Sequence, residues 1–99
     1  MKQLTKENFD QVISQGTVLV DCYAEWCQPC RNLLPVLEQL ESTRPEPFYT
    51  LDIDTNSELS TKLGIRNIPT VKVFKDGIEV ATLSGTHPPH RYIELLDNV

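Results

Sequence analysis

Long apolar runs are missing from this chain of 99 residues, and no stretch approaches the roughly 20 apolar residues that a helix needs to cross a bilayer. The opening Met1-Lys2-Gln3-Leu4-Thr5-Lys6-Glu7-Asn8 holds no hydrophobic signal core, so export is not expected. Positive charge is scarce: nine Lys and Arg stand against fourteen Asp and Glu, a formal net charge of -5. That balance argues against a nucleic-acid partner or an anionic membrane. Cysteine is sparse too. Three cysteines cannot build a disulfide framework, and an odd count fits a reducing cytosol. Linkers, repeats and low-complexity segments are absent, so residues 1–99 read as one domain, large enough for a modest core without staples.

What is present is organised around Val20-Asp21-Cys22-Tyr23-Ala24-Glu25-Trp26-Cys27-Gln28-Pro29-Cys30-Arg31. This stretch starts as an apolar strand, turns over Ala24 to Trp26 and becomes a helix at about Cys27. A Cys-x-x-Cys at a strand-to-helix junction reads as a redox dithiol. The first helical turn has unpaired N–H groups and the positive end of the macrodipole, and both favour a thiolate at Cys27. Pro29 has no N–H to waste, and its fixed φ suits a first turn. Cys30 shares a face with Leu33, Leu34 and Leu37. It is therefore expected to point inward, leaving Cys27 at an exposed tip. One accessible thiolate and one shielded resolving thiol is the arrangement that disulfide exchange needs.

The remaining pattern alternates. A short strand at Leu4 leads into a helix that Thr5 can cap, with Phe9, Val12 and Ile13 on one side and Gly16 at its end. Thr17 to Ala24 is nearly continuous apolar sequence, which suits a strand buried on both faces. The carboxylate of Asp21 is expensive there and wants an explanation. A second helix is predicted over 27–43, kinked at Pro35, followed by the stiff connector Arg44-Pro45-Glu46-Pro47 and a strand over 48–54. Strand, helix, strand over this span predicts a right-handed parallel crossover. Asn56 or Ser57 caps a short helix that ends at Leu63-Gly64. Val71 to Lys75 and Ile78 to Leu83 flank Asp76-Gly77, a two-residue hairpin signal. The last helix carries Tyr92, Leu95, Leu96 and Val99 on one face. The order β-α-β-α-β-α-β-β-α predicts an α/β fold, a mixed sheet with helices on its faces.

Other readings of these residues stand beside the redox one. Cys27 and Cys30 with His87 and His90 are four side chains of the types that bind zinc, although the histidines flank two prolines on a solvent-facing segment. A metal site is not expected. Asp21 is either a satisfied buried polar group or a proton carrier for the neighbouring dithiol. Cys22 alternates to the face opposite Asp21 and reads as a small core hydrophobe.

Taken together, Val20-Asp21, Ala24-Glu25-Trp26-Cys27-x-Pro29-Cys30, Pro35, Asp54, Gly64-Ile65-Arg66-x-Ile68-Pro69-Thr70, Phe74-Lys75-Asp76-Gly77 and Gly85 resemble the thioredoxin family over essentially the whole chain. The resemblance implies a thioredoxin fold with a central mixed sheet of five strands and four helices. It implies that Cys27 attacks a substrate disulfide, that Cys30 resolves the mixed disulfide, and that Asp21 assists proton transfer at Cys30. It implies a cis peptide before Pro69. It also implies an apolar docking surface of Trp26, Pro29, Ile68, Pro69 and Gly85, with Gln28 between the sulfurs. The chain departs from the family at Gln28, which stands where Gly is usual. It departs again at Cys22 and Tyr23 in place of large aromatics, at Thr50 where many members carry Lys, and at Ser84 in place of an apolar residue.

The resulting expectation is a cytoplasmic, monomeric protein-disulfide reductase with no bound cofactor beyond its Cys27–Cys30 disulfide. An NADPH-dependent flavoprotein, a thioredoxin reductase, would recycle it. Gln28 and Ser84 keep two alternatives in view, a redox protein dedicated to one partner and a docking subunit that never turns over.

Overall fold

Residues 1–99 are described by a computed structural model. In chain order the elements are β1 (Lys2–Gln3), α1 (Phe9–Ile13), β2 (Thr17–Tyr23), α2 (Gln28–Glu41), β3 (Phe48–Asp52), α3 (Ser57–Lys62), β4 (Thr70–Lys75), β5 (Ile78–Ser84) and α4 (Pro89–Asp97). The five strands form one sheet in the order β1-β3-β2-β4-β5. β1 and β2 both run parallel to β3, β4 is antiparallel to β2, and β5 is antiparallel to β4. This is the mixed sheet with four helices that the alternating pattern predicts.

β2 lies at the centre, and its near-continuous apolar sequence follows from burial on both faces. Leu19 packs on one side with Leu33, Leu37 and Leu40 of α2, Phe48, Val71, Val73, and Tyr92 and Leu96 of α4. Val18, Val20 and Cys22 pack on the other with Leu4, Phe9, Ile13, Leu51 and Phe74. Asp21 shares the parity of Leu19, so the strand delivers a carboxyl to the α2 side of the sheet.

The hairpin between β4 and β5 turns on Asp76 and Gly77, both at positive φ (52° and 87°), as a two-residue turn matched to strand twist requires. A register shift between Val73 and Phe74 bends the ladder beyond it.

Several boundaries differ from the sequence expectation, each for a local reason. Thr5 and Asn8 clasp each other: the Thr5 N–H donates to Asn8 Oδ1 at 2.8 Å and the Asn8 N–H to Thr5 Oγ1 at 3.4 Å. The regular helix then starts only at Phe9 and ends at Ile13. Gly16 does not terminate it. At φ 71° it forms the next turn, where its N–H donates to Asp76 Oδ1 at 2.8 Å. β3 stops at Asp52 because that side chain takes the Asp54 N–H at 2.8 Å and turns the chain. Asn56 occupies the N-cap of α3 without capping it. Its amide reaches the Asp52 carbonyl at 3.1 Å and its oxygen accepts the Lys6 N–H at 3.2 Å. In the Pro-rich connector, Arg44 donates to Glu46 at 3.0 and 2.8 Å and to Asp97 at 2.9 Å, pinning the connector to α4.

Candidate active site

The site forms where β2 ends and α2 begins. The Cys27 N–H donates to the Ala24 carbonyl at 3.2 Å, closing the turn over Ala24 to Trp26. Cys27 is the N-cap of α2 rather than its first helical residue. Its backbone is extended (φ -88°, ψ 107°), and its Sγ accepts the Cys30 N–H at 3.3 Å. A sulfur thus does the work usually given to a Ser or Asp oxygen, accepting one of the otherwise unpaired amides of the first turn. Pro29 lies in that first turn, where no hydrogen bond is lost. Cys27 and Cys30 are joined as a disulfide, with Cα atoms 5.2 Å apart, inside the ordinary range for such a bridge.

Cys27 is not at an exposed tip in this oxidised form: it is 5 % exposed and Cys30 is 3 % exposed. The bond to Cys30 draws the sulfur over the helix start, and Tyr23, Ala24, Ile53 and Ile68 pack around the pair. The Ile68 carbonyl oxygen stands 3.9 Å from Cys27 Sγ. Leu34 also departs from expectation. It is exposed, whereas Leu33 and Leu37 are buried, because α2 presents to the sheet a narrower stripe than the run of leucines suggests.

Around the disulfide stand the other residues singled out from the sequence. Trp26 is exposed, and its indole Nε1 donates to Asp54 Oδ2 at 2.8 Å. The peptide before Pro69 is cis, and the Pro69 carbonyl accepts the Gly85 N–H at 2.8 Å, so the Ile68-Pro69 and Gly85 loops are tied together. Ser84 places its hydroxyl 3.2 Å from that of Thr70, beside the same loops. Gln28 turns along the helix, donating through Nε2 to Asn32 Oδ1 at 2.9 Å, not towards sulfur.

Asp21 is buried, and its Oδ1 has no hydrogen-bond partner. Its register neighbours are Thr50 in β3 and Val71 in β4, neither of which supplies a cation. Burial alone pushes the carboxyl up to about 7, into the range where a group can both take and release a proton near neutrality. Asp21 and Cys30 line the same cavity, of about 340 Å³. Cys22 is free and fully buried on the far face, and burial foremost pushes its thiol up to about 12, with the Asp21 charge adding to the rise. A thiol so protonated is inert. The histidines stay apart from the dithiol. His87 Nε2 lies 2.7 Å from the Ser84 carbonyl oxygen, His90 faces Glu94 at 4.0 Å, and no group of three or more His, Cys, Asp and Glu gathers as a metal would require.

Two features were not read from the sequence. Asp54 was marked only by resemblance, and its pairing with Trp26 depends on how the chain turns after β3. Lys72, flanked by Val71 and Val73 in β4, is buried and meets Glu79 across the hairpin at 3.0 Å. A lysine between two valines is a visible signal, but its partner depends on the register shift.

Known proteins agree with this geometry. The sequence profile of the thioredoxin family matches residues 1–98. A thioredoxin of Chlamydia pneumoniae is 45 % identical over 86 residues, spanning 86 % of this chain and 84 % of its own. A thioredoxin of Listeria monocytogenes is 37 % identical over 99 residues, spanning 98 % of this chain and 96 % of its own. Among solved structures, Plasmodium falciparum thioredoxin superposes with a TM-score of 0.91 at 37 % identity, covering 99 % of this chain and 98 % of that one. With the fold, the N-capping Cys27–Cys30 disulfide and these likenesses in agreement, the chain belongs to the thioredoxin family and is a thiol–disulfide oxidoreductase.

Proposed function

We propose that this oxidoreductase reduces protein disulfides as a single domain over residues 1–99, with Cys27 as nucleophile, Cys30 as resolving thiol and Asp21 as proton carrier. The Cys27 thiolate attacks one sulfur of a substrate disulfide, forming a mixed disulfide and expelling the other substrate sulfur as a thiolate. Asp21 takes the Cys30 proton, and the Cys30 thiolate attacks Cys27 Sγ. The Cys27–Cys30 disulfide forms, the second substrate sulfur leaves, and two electrons have passed to the substrate. A separate reductase returns them, by family analogy an NADPH-dependent flavoprotein. The cycle needs no cofactor beyond the disulfide itself. Trp26, Gln28, Pro29, Ile68, Pro69 and Gly85 form the docking rim, and the protein works as a cytoplasmic monomer. No helix is long and apolar enough to cross a membrane.

The observation that carries this reading is the disulfide at the N-cap of α2: the Cys30 amide that caps through Cys27 Sγ is the one that would hold its thiolate once reduced. Reduction of insulin with dithiothreitol as electron donor tests turnover, and its absence would favour a docking subunit. Reduced protein should alkylate at Cys27 well before Cys30, with Cys22 slowest, and Cys30→Ser should trap substrates through Cys27. Trapping only by Cys27→Ser would reverse the assignment.

A further inference from the structure

Between Ser84, the last residue of β5, and Pro89, the first of α4, the chain passes from sheet to helix, and Gly85 makes the turn at φ 84°. Very little backbone holds this loop. The one main-chain hydrogen bond made by Gly85, Thr86 or His87 runs from the Gly85 N–H to the Pro69 carbonyl at 2.8 Å. The N-cap of α4 is Pro88, whose side chain caps nothing.

Side chains supply what the backbone lacks. His87 Nε2 lies 2.7 Å from the Ser84 carbonyl oxygen, and the Tyr92 hydroxyl reaches the Gly85 carbonyl at the longer distance of 3.5 Å. A carbonyl only accepts, so His87 carries a proton on Nε2. The half-buried ring is held from two sides. It stands edge-on to the buried ring of Tyr92, with centroids 6.3 Å apart. It also folds back over Gly85, where a Cβ would lie 3.8 Å from Nε2.

Gly85 belongs to the docking rim proposed above, and a rim that is ordered beforehand loses less freedom when a partner binds. We propose that His87 is a positioning residue for protein substrates: its Nε2–H fixes the Ser84 carbonyl, and with it the setting of Gly85 against the Pro69 loop. This inference rests on the docking reading of Gly85. His87 is placed to act on the capture of a protein disulfide and not on the thiol chemistry, because its hydrogen bond goes to the loop and to neither sulfur.

The test compares His87→Leu, which keeps bulk without the donor, with His87→Gln, whose Nε2 reaches about as far as that of histidine. Each reduced protein is mixed with insulin and, separately, with dithiobis(nitrobenzoate), a disulfide too small to need the rim. His87→Leu should reduce insulin about three- to tenfold more slowly, the worth of one ordinary hydrogen bond, with its rate on the small disulfide unchanged. His87→Gln should recover most of the loss. Nitrogen-15 NMR of the unaltered protein at about pH 8, where imidazole is ordinarily neutral, should place the His87 ring proton on Nε2; the second histidine, His90, serves as the internal comparison. An unchanged insulin rate in His87→Leu, equal slowing on both disulfides, no recovery in His87→Gln, or a proton on Nδ1 alone would overturn the assignment. Trp26→Ala, run in parallel, separates the two levels. If it slows insulin and His87→Leu does not, the rim stands without His87. If neither slows insulin, the docking reading falls and this inference with it.

Discussion

The Trp26 indole donates to the Asp54 carboxylate at 2.8 Å while the ring itself stays 68 % exposed. An exposed aromatic held by one charge-assisted hydrogen bond is restrained in orientation without being buried. Because this is the only tryptophan, its emission reports on this one ring. Asp54→Ala is expected to lower the fluorescence anisotropy of Trp26 and to raise KM for a protein disulfide several-fold, with kcat little changed. Stability should shift by no more than about 0.5 kcal/mol, as for other exposed sites. Unchanged anisotropy and KM would show that the hydrogen bond does not position the ring.

Asp21 gives a pH dependence of known sign. Its folded pKa is raised by burial from 3.8 to about 7, so the folded state resists ionisation that the unfolded chain accepts. The resulting penalty is absent below the unfolded pKa, grows as pH rises between the two values and is complete above the folded one. Asp21→Asn should therefore stabilise the oxidised protein at pH 8 by roughly 2 to 4 kcal/mol and leave it nearly unchanged at pH 3.5. The retained amide, still without a full set of partners, places the gain towards the lower figure. Urea unfolding at the two pH values measures it. Destabilisation at pH 8 would mean that the carboxylate is compensated by a cation in solution.

Gln28 acts on the redox equilibrium through backbone order. Its side chain engages Asn32 one helical turn on, not either sulfur, and Gln is a better helix former than Gly by under about 1 kcal/mol. A pre-ordered first turn favours the reduced form, in which the Cys30 N–H and the helix dipole hold the Cys27 thiolate, and so makes the protein slightly more oxidising. Gln28→Gly should lower the reduction potential by at most roughly 20 mV, read from the dithiol equilibrium of both proteins in one glutathione buffer. A rise on substitution, or a several-fold larger drop, would point to direct contact of the amide with sulfur.

Lys72 and Glu79 predict an asymmetric pair of mutants. The Lys72 side chain is 7 % exposed and that of Glu79 is 37 % exposed, at 3.0 Å. Glu79→Gln leaves a buried ammonium without its counter-charge and should cost roughly 1 to 3 kcal/mol. Lys72→Met keeps the volume, releases Glu79 to water and should be near neutral. Urea unfolding of both variants, measured side by side, checks the order. A costlier Lys72→Met would show that the pair is a net stabiliser.

Much of this molecule was legible because its signals are local. The alternating strand and helix pattern, the apolar run of β2 and the Asp76-Gly77 turn each follow from residues a few positions apart, and the sheet assembled from them as expected. Cys27, Gln28, Pro29 and Cys30 were readable for the same reason, since a helix start is a short-range event. Boundaries were less legible where a side chain outcompeted the ladder. Asp52 turning the chain after β3 and the Thr5–Asn8 clasp delaying α1 are examples.

By itself, then, the sequence determined the dithiol, its place at the head of a helix, and the presence of a carboxyl within a buried strand. Only the tertiary structure decided what surrounds them. It brought Ile68, 41 positions away, against the Cys27 sulfur and tied the Pro69 loop to Gly85. It also buried Cys27 in the oxidised form, turned Leu34 to the surface, joined Trp26 to Asp54 and left the buried Asp21 without a cation across the sheet from it. The physical reason is range. Propensity and periodicity act over one or two turns of chain, whereas accessibility, proton affinity and partner choice depend on which distant segments exclude water from a given atom.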